Sequence, residues 1–134
     1  MTIRHKRQAY DGIVAVSPAS VPYQRFSKEA AHWWIARALR QSITAAALIP
    51  GDIDGLTVSS FTLFPDSAVG LTQHLGLSPR WLDDIPMGGA CGVAALRRAA
   101  RAVQSGDANV VACVAGDTNH VDSFRRMLSS FSRF

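Results

Sequence analysis

The stretch MGGACGVAALRRAARAVQSGDANVVACVAGD, residues 87–117, contains a complete helix-to-strand passage. Gly88 and Gly89 lead into Cys91, an alanine-rich run continues to about Ser105, and Asn109 to Ala115 is almost wholly apolar. The middle run has helical spacing: Ala95, Leu96, Ala99, Ala102 and Val103 can pack, while Arg97, Arg98 and Arg101 share another face. Gly106, just past its end, is a helix stop, because a residue without Cβ enters the left-handed conformation that closes the last turn. The unbroken apolar run after it has the pattern of a parallel strand covered on both sides, and Cys113 inside it reads as a buried packing residue without chemistry.

Upstream, the same alternation repeats. Gly12 to Val16 is a short β-branched run ending at Ser17-Pro18, and residues 17–26, with Pro18 and Pro22, read as a loop. A helix is expected from Ser27 as N-cap, with Glu29 in its first turn where it complements the dipole. Ala31, Trp34, Ile35, Ala38, Leu39, Ile43 and Ala46 form its apolar stripe, with Arg37, Arg40 and Gln41 outward, and Pro50-Gly51 ends it. Trp33 and Trp34 then serve helix packing. Gly55 to Phe61 reads as a buried strand, Pro65 to Leu75 as a short helix closed by Gly76, and Trp81 to Met87 as a weaker strand limited by Pro86. Asp83 and Asp84 are strand neighbours and point to opposite faces, so they are no acid/base pair. Repeated strand-then-helix units argue for an α/β fold, βαβα, with a mostly parallel sheet and crossover helices. Beyond Thr118 the pattern is less regular. Residues 123–134, with Phe124, Met127, Leu128, Phe131 and Phe134, suit an amphipathic helix that lacks its covering partner.

Composition bounds the function. The 134 residues are one domain's worth, and 48% hydrophobic content can build a core. Two cysteines give no disulfide framework, no signal-peptide pattern opens the chain, and no apolar run reaches the ~18 residues of a membrane span. A reducing, cytoplasmic setting is expected. The net charge of +4 does not imply nucleic-acid binding: its arginines and lysines are scattered over the terminus and several helix faces, with no aromatic-interleaved basic strip and no zinc-ligand spacing. Gly88-Gly89 is no phosphate loop, since neither G-x-G-x-x-G nor Gly-Lys-Ser/Thr occurs.

Cys91 is the candidate nucleophile. It stands at the start of the expected helix, where the positive end of the dipole favours a thiolate and unpaired backbone N–H groups can receive a carbonyl oxygen. Small residues on both sides would let the backbone turn sharply there.

Gly89-Ala90-Cys91-Gly92, the helix through Val103 and the run Gly106 to Asp117 together resemble the thiolase family, in which a nucleophilic Cys opens a helix that runs into a "sG-x-x-x-VVA-x-x-G" strand. Leu48 to Leu56 resembles the family's "l-x-p-x-dID-g" passage into its second strand, and Gly12 to Val16 its first strand. The likeness is closest to the sterol-carrier-protein or lipid-transfer type, acetyl-CoA acetyltransferase-like, and covers residues 12–117. It implies a thiolase-like half-domain: residues 1–117 as the N-terminal α/β region and 118–134 as the start of the following loop region, cut short.

The resemblance implies two-step acyl transfer. The Cys91 thiolate attacks a 3-ketoacyl thioester or acetyl-CoA, with coenzyme A as substrate, no further cofactor and no metal; the basic surface would attract the coenzyme's phosphates. In the family a Gly-His-Pro-like His and a Cys-x-Gly Cys come from a second half. Neither string occurs here, and none of His5, His32, His74 and His120 precedes a proline. His120, beyond a strand's C-terminal end, lies where α/β folds place ligands, yet the family position is not a universal catalytic His. The chain is therefore expected to carry only the nucleophile half, to lack turnover alone, and to form homodimers or larger assemblies through Trp81–Met87, or to meet a partner chain supplying the second half. Rival readings are a β-ketoacyl-synthase-like condensing enzyme, a subunit of an acyltransferase or retro-aldolase assembly, against which Cys91 argues, and a non-catalytic interaction piece.

Overall fold

A computed structural model describes residues 9–63 and 68–118, together with 122, 125, 128 and 129. At its centre is β1 (Gly55–Ser59), every residue of which is buried. β2 (Trp81–Asp84) and β3 (Val111–Ala115) flank it in the order β2-β1-β3, and both pairings are parallel. Gly55 lies opposite Trp81 on one side and Val111 on the other, and Thr57 opposite Asp83 and Cys113. The result is an open, three-stranded parallel sheet with helices on both faces, the α/β class expected.

Three helices cover it: α1 (Ala31–Ala45), α2 (Ala68–Leu75) and α3 (Cys91–Ser105). Side chains alternate along each strand, so Leu56, Val58 and Val114 share one face. They form a single cluster with Ile35, Leu39 and Ile43 of α1 and Leu71 of α2. Gly55, Thr57 and Ser59 point the other way, under α3, whose buried residues are Ala95, Ala99 and Ala102. Connectivity explains the division. β1 steps one way to β2 through α2, and β2 steps back across β1 to β3 through α3; right-handed crossovers in opposite directions put the two helices on opposite faces. The buried residues of α3 are alanines, and Gly55 is required by its neighbours across the ladder: a Cβ there would lie 2.7 Å from Val111 Cγ2 of β3 and 3.0 Å from the Cβ of Ala108 in the turn before it. On the other face a Cβ on Gly116 would lie 2.8 Å from Ile35 Cγ1.

Several expectations are corrected. Gly12–Val16 is not a strand: it is irregular, with Val14 and Val16 exposed. A strand needs a partner edge, and this segment is held instead at isolated points, where Gln104 donates to the Ala9 carbonyl and Ser42 to the Ser17 carbonyl. Ser27 does not cap α1. Its hydroxyl accepts from the Glu29 N–H in a local turn, and the helix begins four residues later with Ala30 as N-cap and no side-chain cap bond. α1 ends before Pro50-Gly51. Ala47, at φ 56°, takes the left-handed position while Leu48 N–H donates to the Ile43 carbonyl, the closure that Gly106 (φ 83°) provides for α3. β1 stops at Ser59, β2 at Asp84 and not Met87, and β3 starts only at Val111. α2 spans Ala68–Leu75, and the Pro65 start expected for it lies outside the described residues. Leu96 does not pack; it is exposed on α3. Leu82 is exposed and Trp81 half-buried. Of the expected amphipathic segment at 123–134, Phe124, Met127, Phe131 and Phe134 lie outside the described residues, whereas Leu128 is described and exposed.

At the N-terminal edge of the sheet Asp54 ties three elements together. It accepts from the backbone N–H groups of Asn109 (2.8 Å) and Val110 (2.8 Å) and from Arg80 Nε (3.1 Å). Burial opposes its charge, but the Val110 and Asn109 N–H groups and Arg80 outweigh that and hold the carboxyl below its ordinary 3.8. Its contribution to stability is complete above that value and is lost as pH falls through the lower folded value. We expect Asp54→Ala to cost about 1–2 kcal/mol at neutral pH through stranded N–H groups, with exposed Arg80 adding little. Urea titrations from pH 7 to pH 2 check this: the variant's stability should fall less than wild type's on acidification. Gly55→Ala should cost about 1–3 kcal/mol by overpacking. Gly92→Ala, where an added Cβ meets nothing within 4 Å, should be neutral or stabilising in the same titrations.

Candidate functional site

A parallel sheet brings all its strand C-termini to one edge, where the connecting loops collect. At that edge the chain leaves β2 through Ile85, which is fully buried. Its N–H donates to the Val58 carbonyl (2.9 Å) and its carbonyl accepts from Ser59 Oγ (3.3 Å). Pro86 and Met87 follow, then a 3₁₀ turn over Gly88–Ala90, and Cys91 is the first residue of α3. The anchored Ile85 fixes where α3 begins, and hence where Cys91 stands.

Cys91 is half-buried. Ala90, the N-cap, is in helical conformation and provides no side-chain hydrogen bond to the first turn of α3. The sharp glycine turn expected here is instead the 3₁₀ turn. The left-handed glycines among the described residues are Gly12, Gly76 and Gly106, and Gly89 and Gly92 are not among them. What these two leave is room: a Cβ on either would meet no atom within 4 Å. The small residues around Cys91 therefore open the space in front of the helix rather than bend the backbone.

At the same edge, Gly116 and Asp117 follow β3, and Asp117 organises the loop after β1. Its Oδ1 accepts from Phe61 N–H (2.7 Å), Thr62 N–H (2.9 Å), Ser60 Oγ (3.0 Å) and Thr62 Oγ1 (3.0 Å). Thr62 Oγ1 in turn accepts from Thr118 N–H (2.8 Å). The sequence shows Asp117 only as the residue closing an apolar strand. The pairing signal was present in Ser59-Ser60-Phe61-Thr62 after the neighbouring strand, but only the β1–β3 register brings the two segments together. Thr57 was also passed over as an ordinary strand residue; its hydroxyl is buried beneath α3 with no hydrogen-bond partner among the described residues.

The remaining candidates are placed apart. Cys113 is not buried as expected but exposed on β3, opposite Thr57 of β1, whereas its neighbour Val114 is buried on the other face. Although solvent reaches the residue, the protein around it desolvates the thiolate and pushes the thiol up to about 11. Asp83 and Asp84 point to opposite faces as expected. Asp83 pairs with Arg98 of α3 (3.1 Å), while partial burial and then the Asp83 charge raise the Asp84 carboxyl against the Ile85 N–H. Trp33 and Trp34 are half-buried on α1, edge to face with centroids 4.7 Å apart. His120 lies outside the described residues. Among the described residues no helix is long and apolar enough to cross a membrane, and no group of three or more His, Cys, Asp or Glu side chains could hold a metal ion.

Neither a protein-family model nor a curated protein matches this chain. Solved structures do. An aldolase described as "Ltp2-ChsH2(DUF35) aldolase" matches 65% of this chain at 28% identity and a TM-score of 0.56. A 3-oxoacyl-[acyl-carrier-protein] synthase III from Aquifex aeolicus VF5 matches 68% of it at 21% identity and a TM-score of 0.61. The fold is thiolase-like, part of one half-domain. The chain is also short beside these structures, covering 22% of the first and 30% of the second.

The two thiols make contrasting predictions. With its thiol near 11, Cys113 holds about one part in a thousand as thiolate at pH 8. Iodoacetamide at that pH should alkylate Cys91 first, as read by peptide mass mapping, and Cys113 labelling should climb steadily as pH is raised toward 11. Faster labelling of Cys113 at pH 8 would reverse the assignment.

Proposed function

We propose that this chain is the nucleophile-bearing part of a thiolase-type acyltransferase, working on acyl thioesters of coenzyme A. The observation that carries the reading is the setting of Cys91. It opens α3 at the C-terminal edge of a parallel sheet, half-buried, after an N-cap, Ala90, that makes no side-chain hydrogen bond, with open space at Gly89 and Gly92. The thiolate adds to the thioester carbonyl, the oxygen gains charge that the first N–H groups of α3 can receive, and collapse expels coenzyme A thiolate to leave an acyl-Cys91. Coenzyme A leaves as the anion and is protonated from solvent or by a base.

The sequence supplies no His-Pro or Cys-x-Gly motif for the second step, so the base and the proton-transfer group would come from a second half or a partner chain. Supporting that, Leu82, Met87, Val93 and Leu96 are exposed apolar residues on β2, on α3 and between them. Exposed apolar side chains suit a protein contact, and the outer edge of β2, which has no strand beside it among the described residues, adds a template for one. The sterol-carrier type and a preference for lipid-derived thioesters follow from the sequence resemblance alone.

The aldolase likeness, at the higher identity of the two, favours a second reading: a subunit that acts through a partner chain without using Cys91 covalently. Intact mass after incubation with acetyl-CoA separates the two. The first reading predicts a stoichiometric acetyl adduct on Cys91 that Cys91→Ala abolishes, without multiple-turnover thiolysis of acetoacetyl-CoA by the chain alone. Absence of any adduct from the folded protein would favour the subunit reading.

A further inference from the structure

Across the sheet from α3, the first turn of α1 and the last turn of α2 bring two imidazoles together. The ring centroids of His32 and His74 are 4.3 Å apart, with the planes at 69°. Each ring is one helical turn from a fully buried anchor, His32 from Ile35 and His74 from Leu71, and both anchors belong to the main core cluster. The backbones beneath the two rings are therefore fixed by packing. Both rings line one open groove of about 290 Å³, which Gln73 also borders. Among the described residues the one hydrogen-bonding, ionic or ring contact of either imidazole is with the other.

We propose that His32 and His74 form a two-imidazole clip for a divalent transition-metal ion, joining α1 to α2. Neutral imidazole presents one nitrogen lone pair and is the ring ligand that suits Zn²⁺, Ni²⁺ and Cu²⁺. Metal–nitrogen bonds of about 2 Å put the two ligating nitrogens about 3 Å apart, a spacing that rings in edge-to-face contact reach by turning about their side-chain bonds. The groove is large enough for several waters of about 30 Å³ each, so solvent completes the coordination shell. With only two protein ligands the ion is exchangeable, and affinity follows the ordinary rise from Zn²⁺ or Ni²⁺ to Cu²⁺. The site is separate from Cys91 and independent of the acyl-transfer reading.

Ni²⁺ serves as the probe, because it is paramagnetic and does not oxidise the two thiols. Titrating the full chain with Ni²⁺ should broaden the His32 and His74 imidazole resonances before those of His5 and His120. Calorimetric titration in a His5→Gln/His120→Gln background should show saturable one-to-one binding, weakened at least about tenfold by adding His32→Gln or His74→Gln. Circular dichroism establishes that each variant is folded; should one fail to fold, the order of broadening in the wild-type chain decides. Broadening that begins at another histidine or beside Cys91, absence of saturable binding, or undiminished binding in the folded variants would overturn the clip.

Discussion

The structure depends on one strand being enclosed on both faces and both edges. β1 gives its hydrogen bonds to β2 and β3 and its side chains to two unlike layers. Leu56 and Val58 meet the bulky side chains of α1 and α2, while Gly55, Thr57 and Ser59 meet the alanines of α3. A methyl group is excluded at Gly55 because it would meet Val111 of β3 and Ala108 before it. Dense interiors transmit such constraints, since a misplaced carbon must displace a neighbour. The Arg98–Asp83 pair at the rim and the Asp54 contacts at the opposite edge follow from the same register.

That enclosure decides where chemistry can occur. With all strands parallel, the loops after β1, β2 and β3 emerge together, and each is fastened by a different device. Ser59 and Val58 hold Ile85, and Asp117 holds the loop at residues 60–62. Cys91 begins α3 at the same end of the sheet as these fastened loops. The glycines beside it leave space that this chain does not fill.

What the fold leaves uncovered also has a physical pattern. The outer edges of β2 and β3 have no strand beside them among the described residues, and Val14, Val16, Met87, Val93 and Leu96 are exposed. The chain covers 22% and 30% of two of the solved structures it matches.

The α/β class, the three helices, the parallel order implied by strand-helix alternation and the position of Cys91 at a helix start were all legible in the sequence, because periodicity and glycine stops are local signals. The opposite facing of Asp83 and Asp84 followed from strand geometry alone. Tertiary structure decided the rest. Gly12–Val16 has strand-like composition, but composition alone forms no ladder, and it pairs with no strand among the described residues although the outer edges of β2 and β3 are open. Ser27 had the chemistry of a cap, yet its hydroxyl was taken by a turn two residues on. Cys113 looked buried because composition reports what a strand can face and not what stands beside it. Asp117 with residues 60–62, and His32 with His74, are contacts between segments more than 40 residues apart, and only packing on a common sheet could bring them together.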